Sequence, residues 1–227
     1  MTQVSPPGAD IEGPARRSQA RGPLQGHVGA VRCLAFAPDG STLASGGLDG
    51  TVRLWDLAAG RERAVMARPE SPFLAPVYAP DGATVATGDE IGFVRLWDAA
   101  TGRERAALRG HTAEVWALAF APDGATLATG SFDRTVRLWD LAAGRERAVM
   151  TGHEGWVLAL VFAPDGGLLA SGGEDKVLRL WDAGAGRCCT TLKGHDAAIH
   201  CLAFAPDGTF LASGDQEGTI LIWDLER

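Results

Sequence analysis

Apolar and polar residues alternate in short runs along most of this chain. The run 31–36 (VRCLAF) places an apolar side chain at nearly every second position, and the runs 42–46 (TLASG) and 51–56 (TVRLWD) follow it after brief interruptions. Alternation with a period of two predicts β-strands. Pro-Asp-Gly at 38–40 predicts a tight turn, because proline fixes φ and glycine accepts a positive φ. These residues are therefore predicted to form antiparallel strands joined by tight turns.

The same arrangement returns every 42 residues. Trp-Asp recurs at 55–56, 97–98, 139–140, 181–182 and 223–224. Pro-Asp-Gly recurs at 38–40, 80–82, 122–124, 164–166 and 206–208, and Gly-His at 26–27, 110–111, 152–153 and 194–195. A fourth, more polar run follows Trp-Asp in the first four units, as at 61–66, so four strands per unit are predicted; no such run follows the last Trp-Asp. The rising polarity predicts that the first strand lies inside and the fourth forms an outer edge.

Five units keep phase, each with Pro-Asp-Gly and Trp-Asp and four of them with Gly-His, and they resemble the WD40-repeat family over residues 18–227. The resemblance implies an all-β propeller of five four-stranded antiparallel blades, either closed into a ring or left as an open arc. Segments 51–66 and 135–150 are identical, which indicates recent duplication. The repeats are expected at 26–67, 68–109, 110–151, 152–193 and 194–227.

The two ends of the chain leave several arrangements open. Residues 1–17 are rich in Pro, Gly and polar side chains and are predicted to be a disordered tail. Residues 18–25 fall, by the 42-residue register, where a fourth strand would precede Gly26, so this segment could complete the last blade. The alternatives are an open arc, a fragment of a longer protein, or a homo-oligomer that completes a larger ring.

The resemblance also implies a hydrogen-bond network within a blade, formed by a histidine, a Ser or Thr, an Asp and the Trp. The implied sets are His27, Ser45, Asp49 and Trp55; His111, Thr129, Asp133 and Trp139; His153, Ser171, Asp175 and Trp181. A metal role for the histidines is not expected, because repeats 42 residues apart place them on different blades.

Two repeats depart from this pattern. Repeat 2 has Arg68-Pro69 in place of Gly-His and Ile91 in place of the turn Asp, and its first strand contains Pro76, which cannot donate to a β-ladder. Its blade is predicted to be the least stable. Repeat 5 has Glu217 at the Asp position, and this longer side chain is expected to disturb the turn.

Function is expected where the repeats differ. In the resembled family, the face that carries the Gly-His loops commonly binds partners. Trp116, Phe132 and Trp156 are additional aromatic residues at positions expected on that face. The partner surface is hypothesised to comprise Arg32, Glu114, Trp116, Phe132, Trp156 and His200. The alternative is that the three aromatic residues plug the mouth of the central channel.

Composition narrows the class of protein. A net charge of −7 argues against a nucleic-acid partner. No apolar run reaches the ~18 residues of a membrane span, and no signal sequence precedes the repeats, so a cytoplasmic, non-membrane protein is expected. The basic residues are nearly all arginine, which suggests a bacterial source. Cys33 and Cys201 occupy equivalent positions and are interpreted as small buried residues, not as redox or metal groups.

No nucleophile–base pair, glycine-rich phosphate loop or zinc spacing occurs in the sequence. We therefore expect a non-catalytic scaffold that binds a protein or peptide, without cofactor or metal, as a monomer or a ring-completing homo-oligomer. The alternative is an enzyme or small-ligand binder at the channel mouth.

Overall fold

Every element of regular structure in the described part of the chain is a β-strand. The computed structural model describes residues 22–67 and 73–225, with the backbone alone at 73–75. The predicted tail at 1–17 and the Arg68-Pro69 pair lie outside the described residues. Each strand pairs in antiparallel fashion with its sequence neighbour in the same sheet.

The strands fall into five sheets, which we call blades 1 to 5 in chain order. Blades 1 and 2 contain β1 (Val31–Phe36), β2 (Thr42–Gly47), β3 (Thr51–Asp56), β4 (Arg61–Ala67), β5 (Phe73–Tyr78), β6 (Thr84–Asp89), β7 (Phe93–Asp98) and β8 (Glu104–Arg109). Blades 3 and 4 contain β9 (Val115–Phe120), β10 (Thr126–Ser131), β11 (Val136–Asp140), β12 (Arg145–Met150), β13 (Val157–Phe162), β14 (Leu168–Gly173), β15 (Val177–Asp182) and β16 (Arg187–Lys193). Blade 5 contains β17 (Ile199–Phe204), β18 (Phe210–Asp215) and β19 (Ile220–Asp224).

The prediction of an all-β fold built from antiparallel blades is confirmed. Blades 1 to 4 have four strands each, and blade 5 has three within the described residues. Residues 22–25 form no strand, and residues 18–21 lie outside the described part of the chain. Completion of blade 5 by the segment 18–25 therefore stays a prediction.

The Pro-Asp-Gly turns form as their residue types require. In the first, Gly40 has φ 68°, and its N–H donates to the Ala37 carbonyl at 2.8 Å. The Asp39 carboxylate accepts the Ser41 N–H at 2.9 Å, and this side-chain hydrogen bond stabilises the turn further. Each such turn connects the first two strands of its blade.

The hydrophobic core lies between blades. In the junction of blades 1 and 2, Val52 and Leu54 of β3 pack in one cluster with Val85 and Trp97. Equivalent clusters join blades 2 and 3, 3 and 4, and 4 and 5. One face of each blade therefore packs on the opposite face of the next blade.

The end blades each have one uncovered face. None of the four clusters of the described residues joins blade 5 to blade 1. Phe36 on blade 1 is 64% exposed and Ile222 on blade 5 is 61% exposed, whereas the equivalent Phe162 and Leu138 inside the array are 7% and 0% exposed. The described residues thus form an open arc of five blades.

The first strand of blade 2 pairs irregularly, as Pro76 leads one to expect. In blade 1, Val31 pairs with Gly47 and Cys33 with Gly46, so one residue is bulged. In blade 2 the ladder passes directly from Phe73 to Pro76, and one further pair is missing. The sheet forms, with a longer interruption near the proline.

The interpretation of Cys33 and Cys201 as buried residues is wrong for Cys201 and only partly right for Cys33. Cys201 is exposed and Cys33 is half-buried. The equivalent Ala117 and Ala159 of the inner blades are each 7% exposed. Cys201 lies beside Gly214 on the face of blade 5 that no further blade covers, so its thiol reaches solvent.

Candidate partner-binding site

The structure brings the members of each histidine network into contact. In blade 3, His111 Nε2 lies 2.7 Å from Thr129 Oγ1, and His111 Nδ1 lies 2.8 Å from Asp133 Oδ2. The indole N–H of Trp139 donates to Thr129 Oγ1 at 2.8 Å. The networks of His27, Ser45, Asp49 and Trp55, and of His153, Ser171, Asp175 and Trp181, have the same contacts.

The chemistry of these groups fixes the direction of the bonds. An indole N–H can only donate, so the Thr129 oxygen accepts from Trp139 and its hydroxyl proton can point to Nε2 of His111. The Nδ1–H of His111 then donates to Asp133. Each side chain of the network therefore has a hydrogen-bond partner, which supports a structural role for the network.

The network aspartates are held in their ionised form. Burial by itself would raise the pKa of Asp133, but hydrogen bonds from His111 and Thr135 outweigh it and hold the pKa well below its usual value. The pKa of Asp49 is lowered in the same way by the Val28 N–H, Thr51 and His27, against the opposing effect of burial.

Blade 5 contains a fourth network that sequence reasoning missed. Asp215 Oδ2 lies 2.8 Å from Nδ1 of His195, while Oδ1 of the same carboxylate accepts the N–H groups of Glu217 and Thr219 at 3.0 and 2.9 Å. The turn expected to be disturbed by Glu217 is therefore formed. Asp215 lies two residues before the position where the pattern places Asp.

Blade 2 has an aspartate at the same early position. Asp89 Oδ1 accepts the N–H groups of Ile91 and Phe93 at 3.2 and 2.7 Å, and Oδ2 lies 3.4 Å from Nε of Arg95. The sequence does show an Asp at 89 and at 215, where the other repeats have Gly47, Ser131 and Gly173, and this difference could have predicted the alternative carboxylate.

Three aromatic side chains form a continuous stack across blades 3 and 4. The rings of Phe132 and Trp156 are parallel within 1° with centroids 4.1 Å apart, and Trp116 stacks on Phe132 at 5.6 Å. Trp116 and Trp156 remain 41% and 44% exposed. We call these three residues the aromatic ledge. Two large exposed indoles side by side are typical of interface hot spots.

Carboxylates flank the aromatic ledge. The Phe132 N–H donates to the Glu114 carbonyl at 3.0 Å, which places Glu114 beside the ledge. Burial, with the nearby charge of Glu90, raises the pKa of Glu114. On the other side, the Glu174 carboxylate accepts the N–H of Trp156 at 3.3 Å. Arg134, on the turn after Phe132, is the exposed cation nearest in sequence.

The other two hypothesised surface residues lie farther along the arc. Arg32 on β1 and His200 on β17 are both exposed and share the repeat position of Trp116. Blade 2 separates Arg32 from the blade of Trp116. The structure therefore brings Glu114, Trp116, Phe132 and Trp156 close together, and places Arg32 and His200 in blades 1 and 5.

Among the described residues there is neither a metal-binding cluster nor a helix suited to a membrane. Within residues 22–67 and 73–225, no three His, Cys, Asp or Glu side chains are grouped so as to hold a metal ion. No helix in the described part of the chain is long and apolar enough to cross a membrane.

Comparison with known sequences identifies the repeats. A family described as "WD domain, G-beta repeat" matches residues 18–56, 102–140, 144–182 and 186–224. The residues left unmatched between 56 and 102 contain most of repeat 2, which lacks the Gly-His pair and the usual turn Asp.

Individual proteins match over about one repeat. Small ribosomal subunit protein RACK1z of Arabidopsis thaliana is 57% identical over 42 residues, 18% of this chain and 13% of that protein. Chicken (Gallus gallus) WD repeat, SAM and U-box domain-containing protein 1 is 49% identical over 47 residues, 21% of this chain and 10% of the relative. Protein groucho of Drosophila melanogaster is 54% identical over 39 residues, 17% and 5% of the two chains. The similarity thus spans a small part of each relative.

Proposed function

Since this chain belongs to the WD40-repeat family, we propose that it is a non-catalytic interaction scaffold that binds a protein or peptide at the aromatic ledge. The single observation that carries the proposal is the stack of Phe132 on Trp156 at 4.1 Å, with both flanking indoles open to solvent. Stacked rings lose little conformational entropy on binding, because they are already ordered.

The surroundings favour a partner that presents an Arg or Lys side chain. Exposed ring faces attract cations, and guanidinium groups stack on aromatic rings. Glu114 and Glu174 add negative charge next to the rings, and Glu90 lies near Glu114. The net charge of −7 would steer a basic segment towards the protein.

The proposed surface extends from the ledge along the same face of the arc. Arg32 and His200 occupy the equivalent position in blades 1 and 5 and serve as its outer flanks. Because they are separated from the stack, their contribution to affinity is expected to be smaller than that of Trp116 or Trp156.

A selection from a displayed peptide library tests this function with a defined probe. We expect enriched peptides to contain Arg or Lys, and Trp116→Ala with Trp156→Ala to weaken their binding at least about tenfold. Phe210→Ala is the matched control, because Phe210 is a similarly exposed aromatic residue on blade 5, at 44%. It should bind the same peptides as the original chain.

Two outcomes would contradict the proposal. Enriched peptides that bind the double variant as well as the original chain would place the site elsewhere. A melting temperature lowered far beyond the about 2–4 °C that corresponds to 1 kcal/mol would mean that the ledge is a structural plug of the channel mouth.

A further inference from the structure

The two ends of the arc expose complementary apolar faces. On blade 1, Val31, Leu34 and Phe36 are 48%, 63% and 64% exposed. On blade 5, Ile220 and Ile222 are 71% and 61% exposed. Exposed apolar surface of this extent on a folded domain usually marks an interface.

The same positions are buried wherever two blades meet. Val115, Val157 and Ile199, which are equivalent to Val31, are each 0% exposed. Likewise Val52, Val94, Val136 and Leu178, which are equivalent to Ile220, are each 0% exposed. The exposed faces of blades 1 and 5 therefore correspond to the two sides of the interblade contact, which occurs four times within this chain.

A close fit at the second strand makes this contact specific. At the junction of blades 3 and 4, a Cβ added to Gly130 would come within 2.5 Å of Val157 Cγ1. At the junction of blades 4 and 5, a Cβ on Gly172 would come within 2.7 Å of Ile199 Cγ2. Each glycine thus makes room for the first apolar residue of the next blade.

On blade 5 no residue of a further blade lies against the equivalent glycine, Gly214, among the described residues, and blade 1 has the residue equivalent to Val157. The neighbour of a Cβ added to Gly214 is Cys201 Sγ, which belongs to the same blade. Val31 is the residue of blade 1 equivalent to Val157. Around it lies a groove of about 480 Å³, lined by Leu34, Leu43 and the described end of the preceding segment, Leu24 and Gln25.

We propose that blade 5 of one copy of this chain packs on blade 1 of a second copy, in the geometry of the internal junctions. Both halves of the contact belong to this chain, so a second copy supplies the missing half at each end. Such a head-to-tail contact is heterologous and leads to a closed ring or to a longer array. It is independent of the aromatic ledge and of the function proposed for it.

The chain register supports a second copy as the occupant. At the internal junction, β16 ends at Lys193, pairs with β15 of blade 4, and leads directly into Gly194-His195 of blade 5. Residues 18–25 precede Gly26-His27 at the same spacing. When the second copy's Val31 lies against Gly214, residues 22–25 of that copy lie on the side of β19 where no fourth strand is present among the described residues.

Light scattering on two end-blocked variants tests the proposal. Val31→Glu blocks the blade 1 face and Ile222→Glu blocks the blade 5 face. Neither should disturb folding, because both side chains are exposed in the single arc. We expect the original chain to have at least twice the 23.7 kDa monomer mass, and each variant alone to be a monomer.

Mixing the two variants gives the decisive result. Val31→Glu keeps an intact blade 5 face, and Ile222→Glu keeps an intact blade 1 face. The two variants should therefore form a 1:1 complex of twice the monomer mass and no larger assembly. Val149→Glu is the control, because it makes the same kind of apolar-to-charged change at a residue of the outer strand β12 that is 40% exposed. It should leave the mass of the original assembly unchanged. Phe36→Glu replaces Val31→Glu should that variant lose its β-sheet circular dichroism.

Thiol labelling gives a second readout. Cys201 lies on the face to be covered, whereas Cys188 and Cys189 on β16 are exposed. In the assembled protein, labelling at Cys201 should be slower than in Ile222→Glu, with Cys188 and Cys189 unchanged as internal references. A monomeric original chain at concentrations up to about 100 µM, or variants that fail to combine, would overturn the proposal.

Discussion

Oδ2 of Asp215 lies 2.8 Å from Nδ1 of His195, although Asp215 is two residues earlier than the aspartates that bind the other histidines. In blade 3 the partner of His111 is Asp133, on the turn itself. A carboxylate at the end of the second strand reaches the same histidine nitrogen, and it accepts the Thr219 N–H as Asp133 accepts that of Thr135. Two positions can therefore supply the carboxylate that binds the histidine.

Asp215→Asn should destabilise blade 5, whereas Glu217→Gln should not. The amide keeps the shape of the carboxylate but loses the charged acceptor of the His195, Glu217 and Thr219 protons. Hydrogen exchange of the peptides from β17 to β19 measures the effect locally. We expect faster exchange there for Asp215→Asn and the original rate for Glu217→Gln. The reverse order would show that Glu217 holds the turn.

Stability should fall at acid pH because of the network aspartates. The pKa of Asp49, Asp133 and Asp175 is lowered in the folded state. The unfolded chain, with carboxyl pKa values of about 3.9, then binds more protons than the folded chain. The stabilisation is complete above that value and is lost as the pH falls towards the lower folded pKa.

Asp133→Asn tests this pH dependence by urea unfolding between pH 3 and 7, roughly the range that spans the unfolded aspartate pKa. The variant should lose on the order of 1–3 kcal/mol at neutral pH and show a shallower loss in acid. Asp123→Asn, on the exposed Pro-Asp-Gly turn of the same blade, is the control and should lose less stability at neutral pH. Equal slopes in the original chain and Asp133→Asn would contradict the assignment.

Blade 2 should exchange its amide protons faster than blade 3. The reason is the longer ladder interruption near Pro76. The Trp97 indole still donates to Thr87 at 2.9 Å, just as the equivalent indoles donate to a Ser or Thr hydroxyl in the other blades. Pro76→Leu introduces the residue found at the equivalent positions 34, 118, 160 and 202 and restores a ladder N–H. We expect amide exchange in β5 and β6 to be slower in this variant. If blade 2 of the original chain is protected as well as blade 3, the prediction is refuted.

Gly130→Ala should destabilise the arc more than Gly214→Ala. The added methyl group at 130 meets Val157 of the next blade at 2.5 Å, while at 214 it meets the Sγ atom of Cys201, a rotatable side chain. Overpacking a core typically costs about 1–3 kcal/mol. Urea unfolding at a concentration where the protein is monomeric compares the two, and equal losses would mean that the interblade fit is unimportant.

The repeating pattern was enough to predict the strands, their turns and the network residues, because each depends on neighbours within about one repeat. His111, Thr129, Asp133 and Trp139 are fixed in phase by the 42-residue period, and their contacts follow from one blade's geometry. Trp116 and Trp156 could be singled out because they interrupt the repetition.

Only the tertiary structure decided what depends on how blades sit against each other. The stack of Phe132 on Trp156 joins two blades, and the compensation of Glu217 by Asp215 depends on where a strand end points. The exposure of Cys201 and Ile222 could not be predicted from the pattern either, because the pattern predicts the same burial for equivalent residues of every repeat. A residue in a repeat is buried by the neighbouring blade, and whether a neighbour is present is a property of the arc and not of the repeat.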